Sequence, residues 1–239
     1  MEWRDEGIVL GVRRHGETSA VVEALTRAHG RHLGLVRGGR SPRLGAALQP
    51  GNTLGLVWRA RLDEHLGAFA VEPLTLRAGR FLSSGLALQG LTYLGALLRL
   101  LPERDPHEEI YEALEIILDH LDRREVAPAL VARLETRVLA DCGFALDLES
   151  CAATGTREDL IYVSPKSGKA VSAGAGEPWK DRLLPLPGFL LGAGEDPSAQ
   201  DVADAFRLTG HFLLRDLFAP RGIEMPDSRR AFIALSEQP

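Results

Sequence analysis

Cysteine, lysine and aromatic residues are all scarce in this chain of 239 residues. Cys142 and Cys151 are too few for a disulfide framework, and their separation matches no common zinc spacing. Two reduced thiols in a cytoplasm are the simplest reading. The opening, Met1-Glu2-Trp3-Arg4-Asp5-Glu6, lacks the basic lead and long apolar stretch of a signal peptide. One run without formal charge, FLSSGLALQGLTYLGALL over 81–98, approaches the length of a membrane span. Ser83, Ser84, Gln89, Thr92 and three glycines dilute it, so a buried helix packed through small residues is expected. Catalytic signatures are missing too. There is no nucleophile elbow, no His-Glu-x-x-His and no Gly-x-Gly-x-x-Gly after a strand. The seven histidines are scattered, and His29/His32 lacks a third ligand. A non-enzymatic protein without a cofactor is therefore expected.

Acids are missing from one region. Ala24–Leu62 holds no Asp or Glu but seven arginines. Residues 1–80 carry twelve basic side chains against eight acids, a net of +4, so the rest must carry −9 to reach the chain's −5. A high-GC genome would explain why the cations are Arg and not Lys. It would not explain the missing acidic partners. Such a stretch makes a positive local field in an acidic protein, which suits a polyanion.

The first 78 residues read as strands. Gly7–Val12, Ala20–Thr26 and His32–Arg37 are short apolar runs between Gly-containing turns. Gln49-Pro50-Gly51-Asn52 is a strong turn signal before Thr53–Leu62, and Gly67–Val71 comes next. Five strands this short bury themselves best as a closed barrel, most economically an OB-fold. Ser41–Leu48 adds a helical turn. In the fourth strand, alternation places Leu54, Leu56, Trp58, Ala60 and Leu62 inside and Arg59 and Arg61 outside. Trp3 reads as a packing residue. The turn Arg37-Gly38-Gly39-Arg40-Ser41-Pro42-Arg43 joins two glycines, whose amides can face an anion, to three arginines.

Beyond it the chain is helical. A helix is expected over Leu76–Leu100, a second after Asp105-Pro106 with Ile110, Leu114, Ile117, Leu118 and Leu121 inside, and a third opened by Pro128. On the second, Glu108, Glu112 and Glu115 form a solvated face. Ser198-Ala199-Gln200-Asp201 starts a fourth as a capping box, and Phe206, Phe212 and Phe218 are core candidates. If it returns to the others, the four make a bundle. Residues 144–197 interrupt it, with a hairpin of Leu160–Val163 and Lys169–Val171 about Ser164-Pro165-Lys166-Ser167-Gly168. Cys151-Ala152-Ala153-Thr154 has one cysteine where a zinc ribbon needs two.

These residues together resemble the RecO family of bacterial recombination mediators, in its alphaproteobacterial form. The resemblance runs nearly the full length: Trp3–Leu10, His15-Gly16-Glu17-Thr18-Ser19-Ala20, His29-Gly30-Arg31, Leu48–Asn52, Trp58-Arg59-Ala60-Arg61, Tyr162–Gly168 and Phe206–Leu213 stand in family order. It implies an α+β protein: an OB-fold domain (1–78), then a helical domain (79–239) with a zinc-finger-like insertion at 144–197. It also implies binding of single- and double-stranded DNA, strand annealing and help in loading the recombinase RecA. The implied partners are RecR and the acidic tail of the single-strand-binding protein, in the cytoplasm at the nucleoid. Some relatives hold zinc through four cysteines; here Thr154 stands where a second would be, so structural zinc is not expected. Arg13, Arg14, Arg31, Arg37, Gly38, Gly39, Arg40, Arg43, Arg59 and Arg61 are the expected DNA contacts. An RNA-binding OB module and a protein-only adaptor are the competing readings.

Overall fold

A computed structural model describes residues 1–192 and 196–238. By backbone contacts the chain divides into two compact units, Met1–Arg123 and the residues from 124 on.

The first unit is built on five strands: β1 (Glu2–His15), β2 (Ser19–Thr26), β3 (Gly30–Val36), β4 (Thr53–Arg59) and β5 (Ala68–Thr75), with α1 (Pro42–Ala47) between β3 and β4. Hydrogen-bonded neighbours run β1-β2-β3-β5-β4, and β4 returns to β1, so the sheet closes into a barrel. The parallel β3–β5 contact at Leu35 and Ala68 closes it, reinforced by the Leu35 amide on the Gly67 carbonyl at 3.1 Å. Closure leaves no unpaired sheet edge. Alternate residues point inward: Val9, Val22, Leu54, Leu56, Trp58 and Phe69 are buried together. Trp58 lies in the core as the period-two pattern predicts, and its indole N–H donates to the Leu66 carbonyl at 3.1 Å. Gly67, at φ +66°, packs against that ring, where a Cβ has no room. β4 ends at Arg59, earlier than alternation predicts. Leu62 is therefore exposed rather than a core residue.

Asn52 ties the barrel to the first helices. Its side-chain amide donates to the Ala46 and Ala47 carbonyls, and its oxygen accepts from the Arg77 and Ala78 amides. The helix expected over 76–100 is two, α2 (Ala78–Phe81) and α3 (Gly85–Leu98). Ser84 breaks them apart by capping α3, its hydroxyl accepting from the Ala87 amide at 3.1 Å. Gly95 lets α3 approach the Leu10 carbonyl, which a Cβ there would meet at 3.3 Å. α4 (Glu108–His120) completes the unit, burying Ile110, Tyr111, Leu114, Ile117 and Leu118. Among the described residues no helix is long and apolar enough to cross a membrane.

The second unit holds α5 (Ala127–Asp141), β6 (Leu160–Val163), β7 (Ala170–Ser172), α6 (Ala173–Gly176), β8 (Leu184–Pro185), α7 (Ala199–Phe212) and α8 (Asp227–Ser236). The four expected helices are thus shared between the units, α3 and α4 in the first and α5 and α7 in the second. The Ser198/Asp201 capping box is complete. Phe206, Phe212 and Phe218 are buried. The expected hairpin forms β6 and β7, and β8 adds a third strand in the order β7-β6-β8. At the helical core Glu135, with 0% exposure, receives two hydrogen bonds from Arg229, at 2.7 and 3.0 Å, and one from the Thr209 hydroxyl. Arg229 also donates to the Phe206 carbonyl at 2.7 Å, so this buried pair holds α8 against α5 and α7.

Candidate nucleic-acid interface

Two turns meet at one end of the barrel. The β1–β2 tip is Gly16-Glu17-Thr18, with Gly16 at φ +58°. The loop after β3 folds back on it. The Arg40 amide donates to the Thr18 carbonyl at 3.0 Å, and the Arg40 guanidinium donates to the Gly16 and Glu17 carbonyls at 3.1 and 2.6 Å. Gly38 takes φ +67°, which makes the reversal. Gly39 is buried, its amide donates to the Val36 carbonyl, and a Cβ there would meet Ala20 at 3.0 Å. Gly39 is thus a close-approach position, and its amide does not face outward as the Gly-Gly pattern suggested. Ser41 caps α1 and Pro42 opens it, which turns the chain so that Arg43 emerges beyond the loop.

Arg37 and Arg43 flank this junction, and Arg13 and Arg14 lie on the adjoining end of β1, opposite Val21 and Ala20. All four are exposed, and their side chains have no hydrogen-bond or ion-pair partner among the described residues. Arg61, just past β4, is equally exposed and unpartnered. Consecutive strand residues face opposite sides, so Arg13 and Arg14 serve the two sides of the β1–β2 ribbon. Arg37 also borders a groove of about 580 Å³ lined by Leu44, Val57, Arg59, Phe69 and Val71, which reaches the edge of the barrel core at Phe69.

Three arginines of the acid-free stretch have carboxylate partners. Arg31 pairs with Glu23 at 2.8 Å and Glu103 at 3.3 Å, and its side chain is only 12% exposed. It is a fastening between strands rather than an open contact. Glu23 and Arg31 are diagonal neighbours across the β2–β3 pair, and Arg99 binds the other Glu23 oxygen at 2.8 Å. Arg59 holds Glu2 through two hydrogen bonds, at 2.8 and 3.1 Å. That bond, first among its causes, pulls the Glu2 carboxyl below its ordinary range and raises Arg59 in turn. Arg59 stays exposed in the groove wall, with its charge balanced. Arg27 lies over the Tyr111 ring at 4.7 Å and reaches Glu112 and Glu115 at 3.0 and 3.1 Å. The acidic face of α4 is therefore a receptor for the barrel as well as a solvated surface.

Aromatic rings fill the end of the barrel near the start of β1. Trp3 is half-buried as expected, stacked on His29 at 4.1 Å and on Trp58 at 5.6 Å. Asp5 accepts from the His29 ring at 2.8 Å and from the Ala28 amide. His32 sits edge-on to Trp58 and is buried; desolvation pushes its pKa down.

The residues of the second unit do not fit a four-sulfur zinc centre. Cys151 is buried, and its sulfur accepts from the Ser172 amide and hydroxyl, both at 3.3 Å. Burial raises its pKa, but these bonds and one from Thr154 outweigh it and bring the thiol to about 6. Among the described residues no group of three or more His, Cys, Asp or Glu is placed to hold a metal ion.

Residues 1–76 match the family model described as Recombination protein O N terminal, and residues 82–222 match Recombination protein O C terminal. A protein named DNA repair protein RecO from Methylorubrum extorquens is 58% identical over 241 residues, covering 98% of each chain. Its namesake in Mesorhizobium japonicum is 59% identical over 237 residues, covering 98% of this chain and 93% of its own. That from Beijerinckia indica subsp. indica is 58% identical over 236 residues, covering 98% and 94%. Two family models in order and full-length relatives at this identity carry one conclusion: the chain belongs to the RecO family.

Proposed function

We propose that this protein acts in DNA repair and recombination by binding single- and double-stranded DNA, annealing complementary strands and assisting the loading of a RecA recombinase. The observation that carries the reading is the set of exposed, unpartnered arginines at the turn end of the barrel, Arg13, Arg14, Arg37 and Arg43, with Arg61 beyond β4. The relatives' name supports the repair role. The barrel is read as an OB-fold, and residues 144–197, which run across the undescribed 193–195, as a zinc-finger-like insertion with a degenerate ligand set. The functional division is taken as 1–78 for DNA and 79–239 for protein partners, RecR and the acidic tail of single-strand-binding protein among them. Its place is the cytoplasm, at the nucleoid.

Guanidinium groups neutralise phosphates and release condensed counterions, which favours duplex and single strand alike. Two strands that are both partly neutralised repel each other less and can meet and pair. Phosphate contacts hold register without reading bases, so annealing of any complementary pair is expected. Arg40, holding the two turns together, is a positioning residue for this surface. Arg31 is a structural fastening.

Gel shifts with mixed-sequence single-stranded DNA over a salt series test the proposal. Binding that weakens steeply with salt, and that RNA competes poorly, is expected. No shift at low salt would leave the protein-only adaptor. Preferential competition by RNA would favour the RNA-binding module.

A further inference from the structure

We infer that Trp179, in the second unit, is a base-stacking contact for single-stranded DNA, separate from the arginines of the barrel. The inference rests on the proposal that DNA is the ligand. The chain's three tryptophans differ sharply in setting. Trp58 is in the barrel core and Trp3 is half-buried between aromatic neighbours, whereas Trp179 is 57% exposed. It lies on a short 3-10 segment, Glu177–Arg182, that directly follows α6. That segment is firmly based. Gly176 meets the Tyr162 ring of β6 so closely that a Cβ there would fall 2.5 Å from a ring carbon, and the Leu183 amide returns to the Lys180 carbonyl at 3.2 Å.

The surroundings of the indole select among ligands. Arg182 holds its guanidinium over one part of the ring at 5.9 Å. Lys180 pairs with Glu177 at 2.8 Å, and Asp181 offsets Arg182, so the segment carries two cations against two acids. All of these neighbours are exposed and charged. A protein hot spot needs an apolar, desolvated setting around its aromatic anchor, and the exposed segment that presents this ring carries charge on four of its six residues. An unpaired nucleobase needs only a π-face and a nearby guanidinium. With its charges balanced, the segment adds little to counterion release. Its contribution is therefore nearly independent of salt, unlike that of the barrel arginines. A paired duplex base is already stacked, so duplex DNA gains nothing here.

Trp179→Ala and Trp179→Phe in the full chain, titrated with oligo(dT) and with a duplex across a salt series, test this. Trp179→Ala is expected to weaken oligo(dT) binding by about five- to tenfold, on the scale of one base stack. The salt slope and duplex affinity should stay unchanged. Trp179→Phe keeps a π-face and should bind within about twofold of the parent, while losing most of the tryptophan fluorescence quenching that oligo(dT) causes in the parent. Parent binding that is untouched by Trp179→Ala, or an equal loss on duplex, overturns the inference and leaves the barrel surface standing. A parent that fails to bind oligo(dT) at low salt overturns the DNA proposal instead. Circular dichroism and urea midpoints matching the parent exclude misfolding, since the replaced side chain lies outside the core.

Discussion

Replacing Arg37 and Arg43 together with alanine separates open cations from structural ones. Neither side chain has a hydrogen-bond or ion-pair partner among the described residues, so folding should be unaffected. Each phosphate contact contributes about 0.9 to the slope of log affinity against log salt on duplex DNA and about 0.7 on single strands. Two lost contacts should flatten the slopes by about 1.8 and 1.4. On duplex, the gap between parent and variant then narrows about tenfold for each fourfold rise in salt. Fluorescence anisotropy with labelled duplex and single strand measures this, and urea unfolding checks stability. Arg31→Ala is the control. It should leave the slope unchanged but lower stability by about 1–2 kcal/mol, because Glu23 loses the arginine on its Oε1 oxygen and retains Arg99 on the other. Arg40 is left in place because removing it frees the β1–β2 turn and mixes the two effects. An unaltered slope in the double variant, or a flattened one in Arg31→Ala, would refute the assignment.

Glu135→Ala should cost about 3–5 kcal/mol in urea unfolding, since it leaves Arg229 buried without its carboxylate; adding Arg229→Met should restore much of that. Gly67→Ala should destabilise by about 2 kcal/mol or more, its backbone being at φ +66° and its Cβ directed into Trp58; thermal unfolding that matches the parent would sink the account of that contact. His32 has a depressed pKa in the fold, so the unfolded chain takes up its proton first as pH falls. Its stabilising contribution is complete above the ordinary value of 6.5 and is lost as pH drops through the folded value, at no more than about 1.4 kcal/mol per pH unit. Urea midpoints at pH 7.5 and 5.5 should show that loss, and His32→Phe should reduce it.

What the sequence makes legible here is what depends on near neighbours. The strand runs, the Trp58 face as far as Arg59, the helical turn over Ser41–Leu48, the Ser198 helix start and the β6–β7 hairpin rest on contacts within a few residues, and these are present. Charge is different, because a guanidinium finds its partner in space. The acid-free window begins at Ala24, one residue after Glu23, and Glu23 is the carboxylate that takes Arg31 from the strand alongside. Knowledge of the β2–β3 register would have exposed that pair, since the two are diagonal neighbours. Arg27 and Arg77 find theirs on α4, more than forty residues on, where no window reaches. Register alone does not decide the outcome: Glu23 is a diagonal neighbour of Arg13 as well, but its two oxygens are taken by Arg31 and Arg99, and Arg13 is left open. Net charge misleads in the opposite direction for the second unit. An acidic balance argues against phosphate binding but is silent about stacking, which needs a face and not a field. Trp179 therefore becomes visible only when exposure is known, and the salt slope is the measurement on which the two kinds of contact part.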